Sequence, residues 1–293
     1  MATAHVSSPD DPRLAPYLGV RDRDTLGPDG RPGLFVGESP LVIEAMLRAP
    51  VDTLSILASE RQEARAHALL DAARPWRAGR ADPDILLAPD DVLDAAVGFN
   101  IHRGFLAIGR RPAPCTVREV VPAAGDCLLL VVEDVNNIDN IGQLFRNAAA
   151  FGCAAVVLSP SCHDPLYRKS LRVSCGHALR VPFARSEAWT EDLSWLRDGA
   201  GVALVGATGS GERTLAETAD DLVRTSQRRV AVVVGAEFDG LSMKALRACS
   251  YRTRIPMAPG VDSLNVGVAA GVLLARLAEA RGSRPSGPDQ VPG

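Results

Sequence analysis

The chain has 293 residues, 46% of them hydrophobic and 4% aromatic, and a formal net charge of −3 from 32 basic and 35 acidic side chains. That length gives ample core for one large or two ordinary domains, and no apolar run is long enough to span a bilayer. The charge excludes a protein that holds nucleic acid through a bulk positive field, so a polyanion would have to meet a local patch.

The start, MATAHVSSPDDPRL, has neither the basic n-region nor the apolar h-region of a signal peptide. The expectation is a cytoplasmic protein with no membrane association. Cys115, Cys127, Cys153, Cys162, Cys175 and Cys249 form no C-x-x-C pair and read as reduced, mostly buried thiols. Cys162, His163, Cys175 and His177 match no common zinc spacing, and no metal is expected.

In chain order, GLFVG reads as a strand, followed by a helix over 38–48, the strand TLSILAS and a helix near 60–73. DILLAP and FLAIG are further strands with a helix near 90–96 between them, and this alternation predicts a small three-layer α/β module. The proline-bearing RRPAPCTVREVVP separates it from a second α/β half. The boundaries predicted are an N-terminal domain over 1–112, a linker over 113–123, a second domain over 124–281 and a disordered tail over 282–293.

CLLLVVED opens the second half as a strand covered on both faces. NIDNIGQLFRNAAAFG follows as a helix with Ile141, Leu144, Phe145 and Ala148 on one face, closed by Gly152. Arg146 points away from that face, one turn into the helix, after a turn-prone Asp139-Asn140. AAVVLSP is the next strand, completing a βαβ unit. Strands are also predicted at GVALVGAT, RVAVVVGAE and YRTRIPMA, with a long helix from about Ser263 to Arg281.

Several chemistries are excluded. GATGSGERT has Glu212 where a Walker loop needs its lysine. No G-x-G-x-x-G opens a helix after the first strand, and DVNNID lacks the glycine and terminal glutamate of a calcium loop. What remains is polar residues at the ends of apolar strands: Asn140 and Arg146, then Gly235, Glu237 and Gly240, then Ser263 and Asn265. Open parallel sheets bind ligands at that edge. Each also has a structural reading, with Ser263 as a helix cap and Glu237 as a carboxylate serving helix N-termini. The densest basic run is Arg168, Lys169 and Arg172 in RKSLR, a candidate RNA-binding patch suited to phosphate.

NIGQLFRNAAAFG, VVGAEFDGLS and IPMAPGVDSLNVGVAA together resemble the three ordered motifs of the SpoU/TrmH methyltransferases, of the SPOUT class. DPLYRKSLRVSCGHALRVPFAR is similar to the same family, and GLFVGESPLVIEAML with GFNIHRGFLAIGRRP is more loosely similar to its substrate-binding domain. The resemblance implies a parallel-sheet domain with a deep trefoil knot, a homodimer, and S-adenosylmethionine as methyl donor. It implies methylation of a ribose 2′-hydroxyl in rRNA or tRNA, with rRNA slightly favoured. By motif match the donor would lie against Gly206, Ala207, Thr208, Gly235, Ile255, Met257, Leu264, Asn265 and Val266.

The same match makes Arg146, Asn140, Glu237, Ser263 and Asn265 the catalytic set. A guanidinium is effectively always protonated. The role expected of Arg146 is therefore to grip the phosphate beside the target ribose and stabilise charge on its oxygen. Departures from the family pattern are Ala236, Asp239 and the stretch Ser39-Pro40-Leu41, which replaces a segment that commonly carries a glycine and a basic residue. The competing readings are a non-catalytic knotted RNA-binding protein and a methyltransferase acting on a small molecule.

Overall fold

The computed structural model describes residues 2–18, 33–77, 79–97, 104–236 and 238–282. Glu237 and the predicted tail beyond Gly282 lie outside the described residues, as does the FNIHR part of the looser N-terminal match. The contacts divide the chain into two compact units, 2–113 with 165–180, and 114–164 with 181–282.

The first unit contains β1 (Thr3–His5), β2 (Leu34–Glu38), α1 (Pro40–Arg48), β3 (Thr53–Ser59), α2 (Glu63–Ala73), β4 (Asp84–Ala88), α3 (Asp90–Val97) and β5 (Phe105–Arg110). Its five strands run in the order β1-β4-β3-β5-β2. β1, β4 and β3 are mutually parallel, and β5 is antiparallel to both its neighbours. Alternation sends Val36, Leu57, Leu86, Leu106 and Ile108 to one face, where they meet Leu14, Tyr17 and α3. Phe35 and Gly37 turn to the other, where Met46 and Val42 of α1 fill the space a side chain on Gly37 would take.

Residues 165–180 group with this unit, although their place in the chain had assigned them to the second half. Gly176, in left-handed geometry at φ +78, lets the backbone press against Ala45, so no Cβ fits there. Ser39 is a second unusual position: φ +89 with ψ 149 is a region other side chains than glycine rarely enter.

The second unit holds α4 (Val117–Val120), β6 (Cys127–Val132), α5 (Ile138–Ala150) and β7 (Ala155–Leu158), and α6 (Arg168–Val173) intervenes in the first. Then come β8 (Phe183–Arg185), α7 (Trp189–Ser194), β9 (Ala203–Ala207), β10 (Arg213–Thr214), α8 (Leu215–Arg224), β11 (Arg229–Val234), α9 (Met243–Ala248), β12 (Tyr251–Arg254) and α10 (Val266–Ala280). The seven strands order as β10-β12-β9-β11-β6-β7-β8, and every pairing is parallel.

All six residues of β6 are buried, as its unbroken apolar run predicts for a central strand. Cys127, Leu129 and Val131 face the layer that contains α7 and α9, and the alternate residues face α5, α8 and α10. The stripe Ile141, Leu144, Phe145 and Ala148 is fully buried. Phe145 meets Phe183 edge to face at 5.5 Å between centroids.

Several helix starts differ from the sequence reading: Glu38 ends β2, so α1 begins at Pro40 and not at 38. α5 begins at Ile138, because the Asn137 side chain accepts from the backbone N–H groups of Asp139 and Asn140. Arg146 is therefore more than two turns into the helix, not one. α10 begins at Val266, not near Ser263, because Asn265 caps it through Oδ1 to the N–H groups of Gly267 and Val268.

Candidate active site

Parallel pairing brings the carboxyl ends of β12, β9, β11 and β6 side by side. Gly206 pairs with Val233 on one side and Arg252 on the other, and Ala207 pairs with Thr253. Thr208 continues the ladder, its N–H donating to the Thr253 carbonyl at 3.0 Å. Gly235 follows β11, and Ile255 and Met257 follow β12, both half-buried. The edge thus gathers every predicted donor contact on β9, β11 and β12.

The glycines here serve close backbone approach. A Cβ on Gly235 would stand 2.6 Å from Leu241 N, inside the Gly240 carbonyl. One on Gly211 would stand 2.6 Å from Arg254 N. The glycine spacing that superficially suggests a phosphate loop is explained by strand contact. Gly209 lies against the 259–265 loop, with the Asp262 carbonyl 3.7 Å from its ideal Cβ position. That loop holds Leu264 and Val261 at the surface. Half-buried Ile255 and Met257 and exposed Leu264 follow β12 in the chain, and Thr208 follows the neighbouring β9, so apolar groups and a hydroxyl are offered from adjacent strand ends, which fits a nucleoside-bearing ligand.

α5 and α10 complete the edge. Asn140 is buried, and its Oδ1 accepts from Asn265 Nδ2 at 2.9 Å. Asn147 Nδ2 donates to the Gly267 carbonyl at 2.6 Å. The helices approach so closely that a Cβ on Gly267 would stand 3.0 Å from Gln143 Cβ. The Arg146 side chain is exposed and makes no hydrogen bond or ion pair among the described residues. It lines an open groove of about 320 Å³ with Gln143, Asn147, Gly267, Val268, Gly271 and Val272. Ser263 is exposed in the loop before α10.

The predicted basic patch is on α6, in the first unit. Arg168 and Arg172 both pair with the buried carboxylate of Glu38, at 3.6 and 3.3 Å. Its charge is therefore partly neutralised within the unit. No group of three His, Cys, Asp or Glu side chains suited to a metal occurs among the described residues.

Sequence reasoning missed Glu133. This carboxylate, buried at the end of β6, accepts from Trp189 Nε1 at 2.6 Å, and from the Ser242 N–H and hydroxyl at 2.8 Å each. It ties the end of β6 to the start of α9 and so fixes the far end of the loop that begins at Gly235. The available signal was an acid directly following a strand covered on both faces, which must find donors.

The SpoU rRNA methylase family model matches residues 127–275. An uncharacterized tRNA/rRNA methyltransferase of Mycobacterium tuberculosis is 39% identical over 270 residues, 91% of this chain and 88% of the relative. The SpoU methyltransferase AviRb from Streptomyces viridochromogenes, solved in complex with AdoMet, has a TM-score of 0.73 at 25% identity, covering 93% of this chain and 98% of that one. An RNA 2′-O ribose methyltransferase structure gives 0.72 at 25% identity, covering 95% and 99%.

Fold and site define an α/β protein with an open parallel sheet and a candidate ligand edge at its strand ends. Within that class, the chain belongs to the SpoU rRNA methylase family.

Proposed function

We propose that this protein is an RNA ribose 2′-O-methyltransferase acting on rRNA or tRNA, with rRNA slightly favoured, and that S-adenosylmethionine is its methyl donor. The observation that carries the reading is the amide bridge from Asn265 to Asn140 beside the groove lined by Arg146. It joins the first and third family motifs across 125 residues of sequence. When bound, the donor supplies a sulfonium methyl for in-line transfer to the hydroxyl oxygen.

The residues of the chain orient that transfer. Gly206, Ala207, Thr208, Gly235, Ile255, Met257, Leu264, Asn265 and Val266 form the donor pocket, and a trefoil knot in this domain threads the segment that carries the last five. Arg146, with no partner among the described residues to neutralise it, grips the phosphate beside the target ribose and stabilises charge on the 2′-oxygen. Asn140, Ser263, Asn265 and Glu237 position the hydroxyl. The domain over 124–281 performs the chemistry, and that over 1–112 binds RNA. Contacts from Arg168, Lys169 and Arg172 would compete with Glu38 for the arginines.

The working form is a cytoplasmic homodimer. Val268 and Val272, about one turn apart on α10, are an exposed apolar pair that shares the groove of Arg146, and Val261 and Leu264 are exposed in the loop before the helix. A second copy covering that pair would enclose the guanidinium. Among the described residues, no helix is long and apolar enough to cross a membrane.

The test is calorimetry with S-adenosylmethionine, together with ribose-methylation mapping of total RNA from cells with and without the protein. One methylated position should depend on the wild type and be lost with Arg146→Ala, at unchanged melting temperature. No donor binding and no dependent position would overturn the reading.

A further inference from the structure

Phe238 is 97% exposed, and the turn that bears it is tied down on both sides. β11 ends at Val234, and Gly235 then passes against Gly240 with no room for a Cβ. Gly240 N–H donates to the Ala236 carbonyl at 3.0 Å, and the two residues form an antiparallel bridge. Gly240 turns the chain at φ +64. Leu241 is buried immediately afterwards, and Ser242 is held by Glu133. Between these anchors, Phe238 and Asp239 are exposed.

A whole phenyl ring in water forgoes the burial that normally makes phenylalanine stabilising. The close approach of Gly235 to Gly240 and the bridge between Ala236 and Gly240 fix the base of the turn that exposes it. Met243, the first residue of α9, is exposed as well, at 62%. The tip stands at the carboxyl end of β11, between β9 with Gly206–Thr208 and β6.

Rings presented in this way recognise unstacked bases by stacking, largely irrespective of sequence. Asp239, exposed beside Phe238, disfavours a phosphate at the same tip and so selects the base face over the backbone. We propose that Phe238 stacks on an unpaired base of the RNA at or beside the target nucleotide. The inference rests on the reading of the protein as an RNA methyltransferase.

The experiment measures methyl incorporation from labelled S-adenosylmethionine into total RNA from cells lacking the protein. Phe238→Ala should raise the KM for RNA about tenfold, the loss of one stacked base. The Kd for S-adenosylmethionine and the melting temperature should not change, and Phe238→Tyr should keep the wild-type KM. An unchanged KM in Phe238→Ala beside an active wild type would overturn the inference while leaving the methyltransferase reading intact. So would a variant whose only change is weakened self-association, which would assign the ring to a second copy of the chain. A wild type that methylates no RNA fails before any variant is compared, and removes the reading and the inference together.

Discussion

Asn265 spends both ends of one amide on two different helices: Oδ1 accepts from Gly267 and Val268 at the start of α10, and Nδ2 donates to Asn140 of α5. The backbone N–H groups fix which end is oxygen, so the orientation of the amide follows from the network. Capping and bridging are separable. Asn265→Ala should lose both, lowering stability by about 1 kcal/mol. Asn265→Ser keeps a capping oxygen but is too short to reach Asn140, so it should restore most of the melting temperature and none of the methyl transfer. Thermal melts beside initial rates check this, and equal activity in wild type and Asn265→Ser would show that the bridge is dispensable.

Much of this was legible in the sequence because the signals are periodic. TLSILAS is bounded by turn residues and became β3 with the bounds expected, whereas CLLLVVED became the central β6 but ends at Val132, two residues early. The stripe from Ile141 to Ala148 fixed the buried face of α5 and left Arg146 outside it. Asn140 and Asn265 were named as strand-end polar residues and share a hydrogen bond.

The rest needed partners that no local pattern contains. β1, β8 and β10 are two or three residues long, too short for a period, and exist only through pairing with β4, β7 and β12. The return of 165–180 to the first unit depends on a slot against Ala45 that only the folded backbone reveals. The start of α10 moved from Ser263 to Val266 because capping depends on side-chain direction, and serine and asparagine are equally good caps by type.

Ser39 occupies a backbone region that strains any residue with a Cβ, at about 1–3 kcal/mol. Its side chain makes no capping hydrogen bond to α1, so the strain has no compensation from that source. Ser39→Gly should therefore stabilise the protein by about 1 kcal/mol, read as a higher urea midpoint at unchanged slope. A lower midpoint would show that the hydroxyl contributes more than the backbone costs.

Burial holds the Cys153 and Cys249 thiols up at about 12 from an ordinary 9, with Glu133 adding to the effect at Cys249. The Tyr17 phenol, buried against Ser55, is also pushed up. Each folded pKa exceeds its unfolded value, so the unfolded chain loses these protons first. Their contribution is complete below about pH 9 and is lost as pH rises toward 12. Urea midpoints measured from pH 8 to pH 11 should fall, and less steeply in Cys153→Ala. A flat profile would mean that the thiols are not shielded in solution.

Gly206 sits in the middle of the predicted donor edge, and its lack of a side chain is matched to one neighbour. A Cβ there would stand 2.7 Å from Cys249 Sγ and 3.2 Å from Leu241 Cδ1. Sulfur is thus the closer obstacle, at the end of a short side chain just past α9 that cannot swing far. Gly206→Ala should cost about 1–3 kcal/mol by overpacking and weaken donor binding if β9 shifts. Cys249→Ala removes the sulfur, so the double variant should recover at least half of that loss, a coupling expected only between residues in contact. A double-mutant cycle by urea denaturation, with donor affinity followed by calorimetry, separates the outcomes. Strict additivity would mean that the strand moves bodily to admit the methyl group and that Cys249 does not set the shape of this edge.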